Sequence, residues 1–376
     1  MGTCHSILRT LGFRLIFAVI YVLLSTSLLT GFLIKNPKSL HRILKITGNY
    51  FLGIFLYTLV IILLADFGRI LLKYVFHASW IHTRTAFTVA GAICALLILL
   101  LSACGIFHAK YIKTTSYDVI INKTIPERTS MKVVLLADTH FGYNAGVLHA
   151  RELVRKINKQ KPDLVCIAGD IFDNEYDAIR NPKKLEKTLR GIKSTYGVYA
   201  CWGNHDLNEE ILAGFTFKHK DGDLSDIKDP RMKKFLEDSN IHILEDESVL
   251  INDQFYVIGR KDASLTEKIH ETRKAPAQLT EKLDRDKPII IVDHEPRELK
   301  ELADAGVDLD LCGHTHDGQT FPGNFTIKLM WENPCGLLIK DNMTNITTSG
   351  AGVWGPAMRI GTDSEICSIN IQLKKA

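Results

Sequence analysis

Three long runs of apolar residues occupy the first third of the chain, at positions 15–34, 46–65 and 86–107. Each run has about 20 residues without a charged side chain, enough to cross a hydrocarbon core of about 30 Å as a helix. A cleaved signal peptide is the alternative for the first run, but its apolar core exceeds the usual length and two further runs follow. The pattern therefore predicts three transmembrane helices, and residues 1–110 are interpreted as an all-α membrane anchor.

A short basic stretch separates the second run from the third. Arg69, Lys73 and His77 recur every four residues beside apolar neighbours. This spacing places a basic edge on one helical face, which is typical of a segment lying along an anionic membrane surface. A simple continuation of the second transmembrane helix explains the same spacing, and both interpretations stay open at this point.

The rest of the chain has a different pattern, in which short apolar runs are each followed by a polar cluster. Such runs are typical of buried β-strands that end in turns. In chain order, the pairs are 133–137 with Asp138-Thr139-His140, 164–168 with Gly169-Asp170, 198–202 with Gly203-Asn204-His205-Asp206, 289–292 with His294, and 309–312 with Gly313-His314-Thr315-His316. We expect the five clusters to lie on one edge of a sheet.

The residue types in these clusters are those of hard metal ligands. Carboxylate, imidazole and carboxamide groups without cysteine suit a pair of divalent cations better than a single structural zinc ion. Taken alone, an Asp-x-His triplet is more often a turn with a capping side chain. The ordered series of five clusters favours a metal site. Cys166, Cys201 and Cys312 lie inside the apolar runs and are interpreted as small buried residues.

The series D-x-H, G-D-x-x-D, G-N-H-D, an isolated H and G-H-x-H resembles the calcineurin-like metallophosphoesterase superfamily, from about residue 131 to the C-terminus. The stretches 313–319 and 349–359 are most similar to its membrane-associated bacterial members, transmembrane proteins with a metallophosphoesterase domain. The resemblance implies an α/β fold, namely a four-layer α/β/β/α sandwich with metal ions at the strand ends. In this chain the membrane anchor would precede it.

The resemblance also implies a role for each site residue. The first metal ion would be held by Asp138, His140, Asp170 and His316, and the second by Asp170 as a bridge together with Asn204, His294 and His314. His205 would be an acid outside the metal ligands, Asp206 would orient it, and Arg359 would contact the substrate. Asp317 is a departure, because glycine is usual there, but it removes no ligand. Two divalent ions, of Mn, Fe or Zn, are implied.

The implied mechanism needs no covalent nucleophile. Two cations about 3.5–4 Å apart lower the pKa of a shared water molecule and polarise the phosphoryl oxygens. Attack by a metal-bridging hydroxide would then cleave a phosphoester or pyrophosphate bond. A bridging carboxylate, the role of Asp170, holds the two positive charges that close, and His205 would protonate the leaving oxygen.

An insertion follows the Gly203-Asn204-His205-Asp206 cluster, at residues 207–230. It is polar, rich in glycine and aspartate, and longer than usual in the family. One interpretation is a solvated loop. The other is a lid that contacts the substrate through Phe215, Phe217, Lys218 and Lys220, with the rings against an apolar part and the lysines against phosphate.

One catalytic domain is expected over residues 131–376, after a linker at 111–130. Residues 150–157 place their apolar side chains on one helical face, as in the crossover of a βαβ unit. Apolar and polar residues alternate over 368–373, so the chain is expected to end in a half-exposed strand. The net charge is +4, no nucleic-acid partner is expected, and the pattern does not specify an oligomeric state.

Basic residues bear on the orientation of the three predicted spans. The N-terminal side carries Arg9, Arg14, Arg69, Lys73 and Arg84, against Lys35, Lys38, Arg42, Lys45, Lys110 and Lys113 on the catalytic side. Because positively charged loops tend to stay in the cytoplasm, the small excess favours a multi-pass protein of the cell membrane with a cytoplasmic catalytic domain. Sequons at Asn122, Asn324 and Asn345 would favour the opposite side in a glycosylating organism, although such triplets are common.

Two functions from different classes fit these patterns. The first is a membrane-anchored, two-metal phosphoesterase acting on a lipid-linked phosphoester or pyrophosphate, since an enzyme with a soluble substrate has little need of three spans. By resemblance, a UDP-2,3-diacylglucosamine-type pyrophosphatase is the leading analogy. The alternative is a membrane sensor or scaffold with a catalytically weak phosphoesterase-like domain. The complete ligand series and His205 favour the enzyme, because a degenerate site would have lost at least one of them.

Overall fold

The computed structural model describes residues 11–212, 215–217 and 228–374. The chain divides into two compact units. The first comprises Met1–Gly105, Ile211–Phe217 and Gly355–Ala357, and the second comprises Ile106–Glu210, Lys218–Trp354 and Met358–Ala376. The long apolar helices lie mainly in the first unit, and both large β-sheets lie in the second.

The described part of the first unit is mainly helical, with α1 (Leu11–Ser25), α2 (Ser27–Leu33), α3 (Lys38–Tyr74) and α4 (Arg84–His108). α3 and α4 are each long and apolar enough to cross a membrane. α1 and α2 are bent by 51° and add a third candidate if the pair is one span. Long apolar helices are thus confirmed as two candidate spans, and the third predicted span depends on the bent pair. α3 continues unbroken through Arg69 and Lys73, so the basic stretch extends the second helix.

Two six-stranded sheets form the centre of the second unit. The first sheet contains β1 (Ile112–Ile121), β2 (Ser130–Leu136), β3 (Leu164–Ala168), β4 (Val198–Cys201), β7 (His242–Ile243) and β14 (Ser364–Leu373), in the spatial order β1-β14-β2-β3-β4-β7. The second contains β8 (Glu247–Ile251), β9 (Phe255–Gly259), β10 (Ile289–Val292), β11 (Leu309–Cys312), β12 (Gly336–Lys340) and β13 (Met343–Thr347), in the order β12-β13-β11-β10-β9-β8.

The strands that lead to the polar clusters run in the same direction within each sheet. In the first sheet β2, β3 and β4 are parallel, and in the second β9, β10, β11 and β13 are parallel. β8 and β12 are antiparallel edge strands of the second sheet. The carboxyl ends of the parallel strands therefore lie along one edge of each sheet.

Helices cover the outer faces of both sheets. The helices of the second unit are α5 (Val147–Gln160), α6 (Pro182–Leu189), α7 (Pro230–Asp238), α8 (Ala263–Lys268), α9 (Pro276–Thr280), α10 (Leu299–Asp304) and α11 (Gly323–Thr326). α5, α6 and α7 pack on the first sheet, and α9 and α10 pack on the second.

Successive side chains of one strand point to opposite faces of the sheet. One face packs against the other sheet and the opposite face packs against helices, which produces the four layers. Val133 and Leu135 pack with Val292 and Leu311 between the two sheets, whereas Val134 packs with the helices outside the first sheet. The predicted four-layer α/β/β/α sandwich is confirmed.

The predicted linker at 111–130 is wrong, because it contains β1, which pairs in parallel with β14 over ten residues. β14 is flanked by β1 on one side and by β2 on the other. The closing strand is therefore interior and mostly buried rather than half-exposed. The alternation itself is confirmed, since Ile369 and Ile371 enter the core between the sheets.

One helix, three cysteines and one sequon of the second unit bear on smaller predictions from the sequence. The helix expected at 150–157 lies within α5, and its apolar face is buried. The three cysteines interpreted as small buried residues are buried, namely Cys166, Cys201 and Cys312. Asn345 is fully buried in β13, where it donates a hydrogen bond to Asp310, so the sequon there is closed to modification in the folded domain.

The insertion at 207–230 contributes a two-stranded sheet of β5 (Glu210–Leu212) and β6 (Phe215–Phe217). Lys218 and Lys220 lie outside the described residues, and so do the side chains of Phe215 and Phe217. Their predicted contacts with a substrate stay predictions, and so does the choice between a loop and a lid.

Candidate functional site

The candidate ligands lie where strands of both sheets end. The clusters after β2, β3 and β4 belong to the first sheet, and those after β10 and β11 belong to the second. The prediction of a single sheet edge is therefore corrected to the edges of two packed sheets. Glycines permit this approach: a Cβ on Gly313 would lie 2.4 Å from the Cβ of Ala137, and one on Gly203 would lie 2.2 Å from Asp170 Oδ1.

Most candidate ligands occupy strained backbone positions. Five of the seven have a positive φ, namely Asp138 (53°), His140 (43°), Asp170 (50°), His314 (73°) and His316 (51°). A non-glycine residue in this region costs about 1 kcal/mol or more. Hydrogen bonds from Asp138 N to Gly169 O (3.0 Å) and from His140 N to Asp170 O (3.1 Å) hold two of these turns. Strain concentrated at one place is typical of a functional site.

Asp138, His140 and His316 converge in a first group. The Nε2 atoms of His140 and His316 are 3.0 Å apart, and Asp138 Oδ1 lies 3.7 Å from His316 Nε2. All three side chains are buried. Two imidazole nitrogens and a carboxylate thus surround one point, which is the arrangement expected for the first metal ion.

Asn204, His294 and His314 form a second group with Asp170. The carboxamide oxygen of Asn204 lies 3.1 Å from His294 Nε2 and 2.9 Å from His314 Nδ1. Asp170 Oδ2 lies 3.3 Å from His294 Nε2 in this group and 3.8 Å from His140 Nε2 in the first. Asp170 therefore stands between the two groups, where the sequence predicts a bridging carboxylate.

The backbone sets the proton position of His294. Its Nδ1 lies 2.8 Å from the carbonyl oxygen of Ala168, and because a carbonyl only accepts, Nδ1 donates. This leaves Nε2, the nitrogen beside Asp170 and Asn204, as the one available for a ligand bond. A hydrogen bond from the far ring nitrogen to a carbonyl is usual for histidines that bind metals.

The electrostatics of the site favour added positive charge. Burial raises the pKa of Asp138 to about 6. Burial also acts to raise the pKa of Asp170, but His294 and His205 draw it well below its usual value. Among the described residues, no lysine or arginine pairs with either carboxylate. Divalent cations such as Mn, Fe or Zn suit this set of nitrogen and oxygen donors, which contains no sulfur.

His205 lies beside the first group, with its ring centroid 5.4 Å from that of His140. Its Nδ1 donates to Asn174 Oδ1 at 2.6 Å, which leaves Nε2 free to face a substrate. Burial lowers the pKa of His205 to about 3, so the ring is neutral near pH 7 in this arrangement. The side chain is only partly buried and is therefore accessible to a ligand.

Asp206 does not have the predicted role of orienting the His205 ring. It accepts hydrogen bonds from the backbone N–H groups of Phe172 (2.8 Å) and Gly203 (2.7 Å), so it braces the turn. Asn174 orients the ring, a role that no motif in the sequence predicted. The available signal was its position directly after the G-D-x-x-D motif, which by itself indicates only a turn.

Residues 131–318 match the family model of calcineurin-like phosphoesterases. The chain belongs to this family. An uncharacterized metallophosphoesterase of Campylobacter jejuni is 32% identical over 257 residues, which cover 66% of this chain and 61% of the relative. A transmembrane protein with metallophosphoesterase domain from Bos taurus is 27% identical, with 75% of this chain and 62% of the relative covered. The matches span about three fifths of the length of these relatives.

Solved structures also align with this calcineurin-like phosphoesterase. A 5′-nucleotidase precursor from Thermus thermophilus is 14% identical, with a TM-score of 0.38, over 65% of this chain and 54% of that protein. A purple acid phosphatase from yellow lupin seeds is 13% identical, with a TM-score of 0.37, over 67% of this chain and 55% of that protein.

Arg359 of this phosphoesterase is fully buried, which contradicts its predicted contact with substrate. Its guanidinium donates to the carbonyl oxygens of Ser349 (2.6 Å), Gly352 (2.9 Å) and His316 (3.2 Å). Nη2 also lies 3.1 Å from His316 Nδ1, but its two hydrogens have shorter contacts to Ser349 O and Gly352 O, so this contact does not fix the proton position of His316.

Gln319 is a second residue that the sequence analysis did not assign. Its Nε2 donates to Trp354 O at 2.8 Å, and its Oε1 accepts from Trp354 N at 2.9 Å. The Trp354 ring centroid lies 5.5 Å from that of His205. Gln319 therefore positions the Trp354 ring beside the proposed acid His205. The two residues are 35 positions apart, so no local sequence pattern indicates this contact.

Asp317, where glycine is usual in the family, has a φ of 50°. Glycine adopts this left-handed conformation without steric cost, which gives a physical reason for the usual residue. Asp317 lies outside both groups of candidate ligands, so the departure leaves the proposed metal positions complete.

Proposed function

We propose that this chain is a membrane-anchored, metal-dependent phosphoesterase that hydrolyses a phosphoester or pyrophosphate bond of a lipid-linked substrate. The observation that carries the proposal is the convergence of hard donor groups from two sheets beside a histidine whose ring is held by Asn174. Asn204, His205 and His314 are only partly buried, so a substrate can reach this side of the site. An accessible coordination position distinguishes catalytic metal sites from closed structural ones.

Two divalent ions fit the two groups, with Asp170 shared between them. When bound, such ions would offset the charge of the phosphoryl oxygens and lower the pKa of a water molecule. The chain itself holds the donors in place through the left-handed turns at the strand ends and through the hydrogen bond from His294 to Ala168. Preorganised donors need little rearrangement during the reaction.

His205 is proposed to protonate the leaving oxygen from Nε2, which carries no proton in the neutral ring and must first take one up from the attacking water or from solvent. Asn174 keeps the Nδ1 proton in place, so the ring presents one defined nitrogen to the substrate. Trp354 packs beside the ring and limits its rotation. An acid placed in this way contributes about 10²–10⁴-fold to the rate.

The membrane helices support the lipid-linked class of substrate. Helices long and apolar enough to cross a bilayer belong to the same chain, and relatives carry the name transmembrane protein with metallophosphoesterase domain. A multi-pass arrangement with the catalytic domain in the cytoplasm is the orientation we propose, from the distribution of basic residues. UDP-2,3-diacylglucosamine-type pyrophosphate hydrolysis is the first substrate class to test, by analogy with the family.

The test uses the full chain in lipid nanodiscs, stripped of metal by chelation and then loaded with Mn²⁺. We expect no turnover without metal and restored turnover with it, in a panel of lipid pyrophosphates, nucleotides and simple phosphodiesters. The proposed substrate class predicts the highest kcat/KM for a lipid pyrophosphate. Undiminished turnover after exhaustive chelation would contradict the metal-dependent mechanism.

Two substitutions separate the proposed roles. Asp170→Ala should lose metal from both positions, whereas His205→Ala should keep both and lose rate by about 10²–10⁴-fold. Metal content is measured by mass spectrometry of the purified variants, with the exposed Asp118→Ala as the matched control. Loss of metal from His205→Ala would show that His205 is a ligand.

A further inference from the structure

The segment from Gly318 to Trp331 begins and ends at the candidate metal centre. It starts two residues after His316, and its last ring, that of Trp331, lies 5.0 Å from the ring of His314. The segment contains α11 and a following turn at Ile327–Leu329. The two ends of the segment therefore lie beside two proposed ligands.

The outer surface of this segment is apolar. The exposed fractions are 42% for Phe321, 60% for Phe325, 88% for Leu329 and 74% for Met330. β12, the edge strand that follows, also exposes Leu337 and Ile339. A contiguous run of large apolar side chains on the surface of a folded domain marks an interaction site.

The segment is braced against the rest of the domain. A Cβ on Gly323 would lie 2.6 Å from Gly318 O, so the two backbones are in close contact. Phe321 N donates to Ile360 O at 2.8 Å. These contacts fix the apolar surface relative to the site.

Charge and aromatic content indicate what the surface binds. Lys328 is exposed within the segment, and the sequence has no acidic residue between Asp317 and Glu332. Arg297 stacks over the Trp331 ring at 4.8 Å. Exposed apolar residues with an aromatic anchor and basic side chains are typical of segments that lie in the headgroup region of a bilayer.

We propose that the segment from Phe321 to Trp331 docks on the membrane surface, with Phe325, Leu329 and Met330 in the acyl boundary. The occupant is the lipid bilayer and not a protein partner, because the same chain carries helices suited to span that bilayer and so keeps it at high local concentration. If the proposed phosphoesterase function holds, the docked segment presents lipid phosphate groups directly to the metal centre.

Photocrosslinking tests the docking without any need for activity. The full chain is prepared in nanodiscs of phosphatidylethanolamine and phosphatidylglycerol, with p-benzoylphenylalanine in place of Leu329 or Phe325. The matched control carries it in place of Leu148, which is 79% exposed on α5. We expect lipid adducts at 329 and 325 in yields about tenfold above that at 148. Equal yields at the three positions, or adducts only to a second protein copy, would overturn the proposal.

A kinetic experiment then tests whether docking of the segment affects turnover of a lipid substrate. Leu329→Ser combined with Met330→Ser should raise KM for a lipid phosphoester in the nanodisc about tenfold and leave kcat and the hydrolysis of a soluble phosphodiester unchanged. Leu148→Ser is the control and should change neither. Unchanged KM for the lipid in the double variant would overturn the link to catalysis. Absence of hydrolysis of every substrate would contradict the proposed function. The crosslinking yields would still show whether the segment docks on the bilayer.

Discussion

At the scale of single residues, the site depends on which nitrogen of each histidine carries a proton. Ala168 determines this for His294 and Asn174 determines it for His205, in each case through one hydrogen bond. Neither partner belongs to the proposed ligand set. Substitution of such a partner should therefore change the chemistry while the ligands stay in place.

Asn174→Ala is expected to lower kcat by about 10–100-fold with both metals retained, because the Nδ1 proton of His205 loses its acceptor. Steady-state kinetics and metal analysis of the same preparation measure the two quantities. Asn158→Ala is the matched control, since Asn158 bonds to the backbone of Gly191 and Lys193 on the surface. An unchanged kcat would mean that His205 does not need Asn174 for its orientation.

Asp310→Asn is expected to raise the thermal unfolding midpoint at pH 8 and to lose this effect as the pH falls toward 4. Burial, followed by the neighbouring Asp293, raises the pKa of Asp310 from 3.8 to about 7. The folded state therefore binds the proton more tightly, and the resulting stability is fully present below pH 3.8 and is lost as the pH rises through 7. Asparagine removes the buried charge and keeps an acceptor for Asn345.

The measurement is the pH dependence of unfolding of the solubilised full chain. The exposed Asp118→Asn, which also has an asparagine neighbour, serves as the control. A difference between Asp310→Asn and the native chain that stays constant from pH 4 to pH 8 would refute the raised pKa as its cause.

At the scale of elements, the candidate ligands converge because strand ends from two sheets approach within backbone contact. The turn after β4 crosses the turn after β3 at Gly203 and Asp170, where no space for a side chain exists. The turn after β11 crosses the turn after β2 in the same way at Gly313 and Ala137. The candidate ligands are carried by these crossing turns, so the glycines determine how close the two groups of donors come.

Gly203→Ala should destabilise the fold by about 1–3 kcal/mol and lower the metal content, because its Cβ would meet Asp170 Oδ1 at 2.2 Å. Thermal unfolding and metal analysis report the two effects. Gly146→Ala is the control, since nothing lies within 4 Å of a Cβ built there. Full metal content in Gly203→Ala would show that the turns can separate without loss of the site.

At the scale of the whole molecule, one chain joins helices long and apolar enough to cross a membrane to a phosphoesterase domain. A membrane tether changes the local concentration of the substrate and the geometry of its approach. The proposed ligands all lie in the second unit, outside the tether. The structure changes where a truncation should begin. β1 starts at Ile112, and Ala109 O accepts a hydrogen bond from Ser364, so a cut inside 111–130 would remove part of the sheet.

A chain that begins at Ile106 is expected to hydrolyse a soluble phosphodiester as well as the full chain does. Against a lipid-linked substrate in vesicles, the same truncation should raise KM and change kcat less, because the loss is in local substrate concentration and not in contacts to the transition state. Kinetics with both substrates on matched preparations give the ratio of the activity on the lipid-linked substrate to the activity on the soluble phosphodiester. The same ratio for the truncated and the full chain would mean that the anchor has no part in substrate choice.

Local patterns in the sequence were sufficient for the apolar helices, the strands that end in polar clusters, the four-layer sandwich and the set of candidate ligands. Hydrophobic periodicity and short motifs are properties of neighbouring residues, so they are visible before folding. The donor types of Asp138, Asn204 and His294 are likewise set by the sequence. They predict a site for hard or borderline divalent metals without any coordinates.

Tertiary structure decided which residues support those ligands and where the sheet edges lie. β1 joins the sheet through β14, about 250 residues away, and no local pattern contains that pairing. Arg359 was expected at the substrate, but burial and three backbone carbonyls make it a support for His316. The hydrogen-bond partner of the His205 ring is Asn174 and not the predicted Asp206. Such partners depend on the distances between turns, and the packing of the two sheets sets those distances.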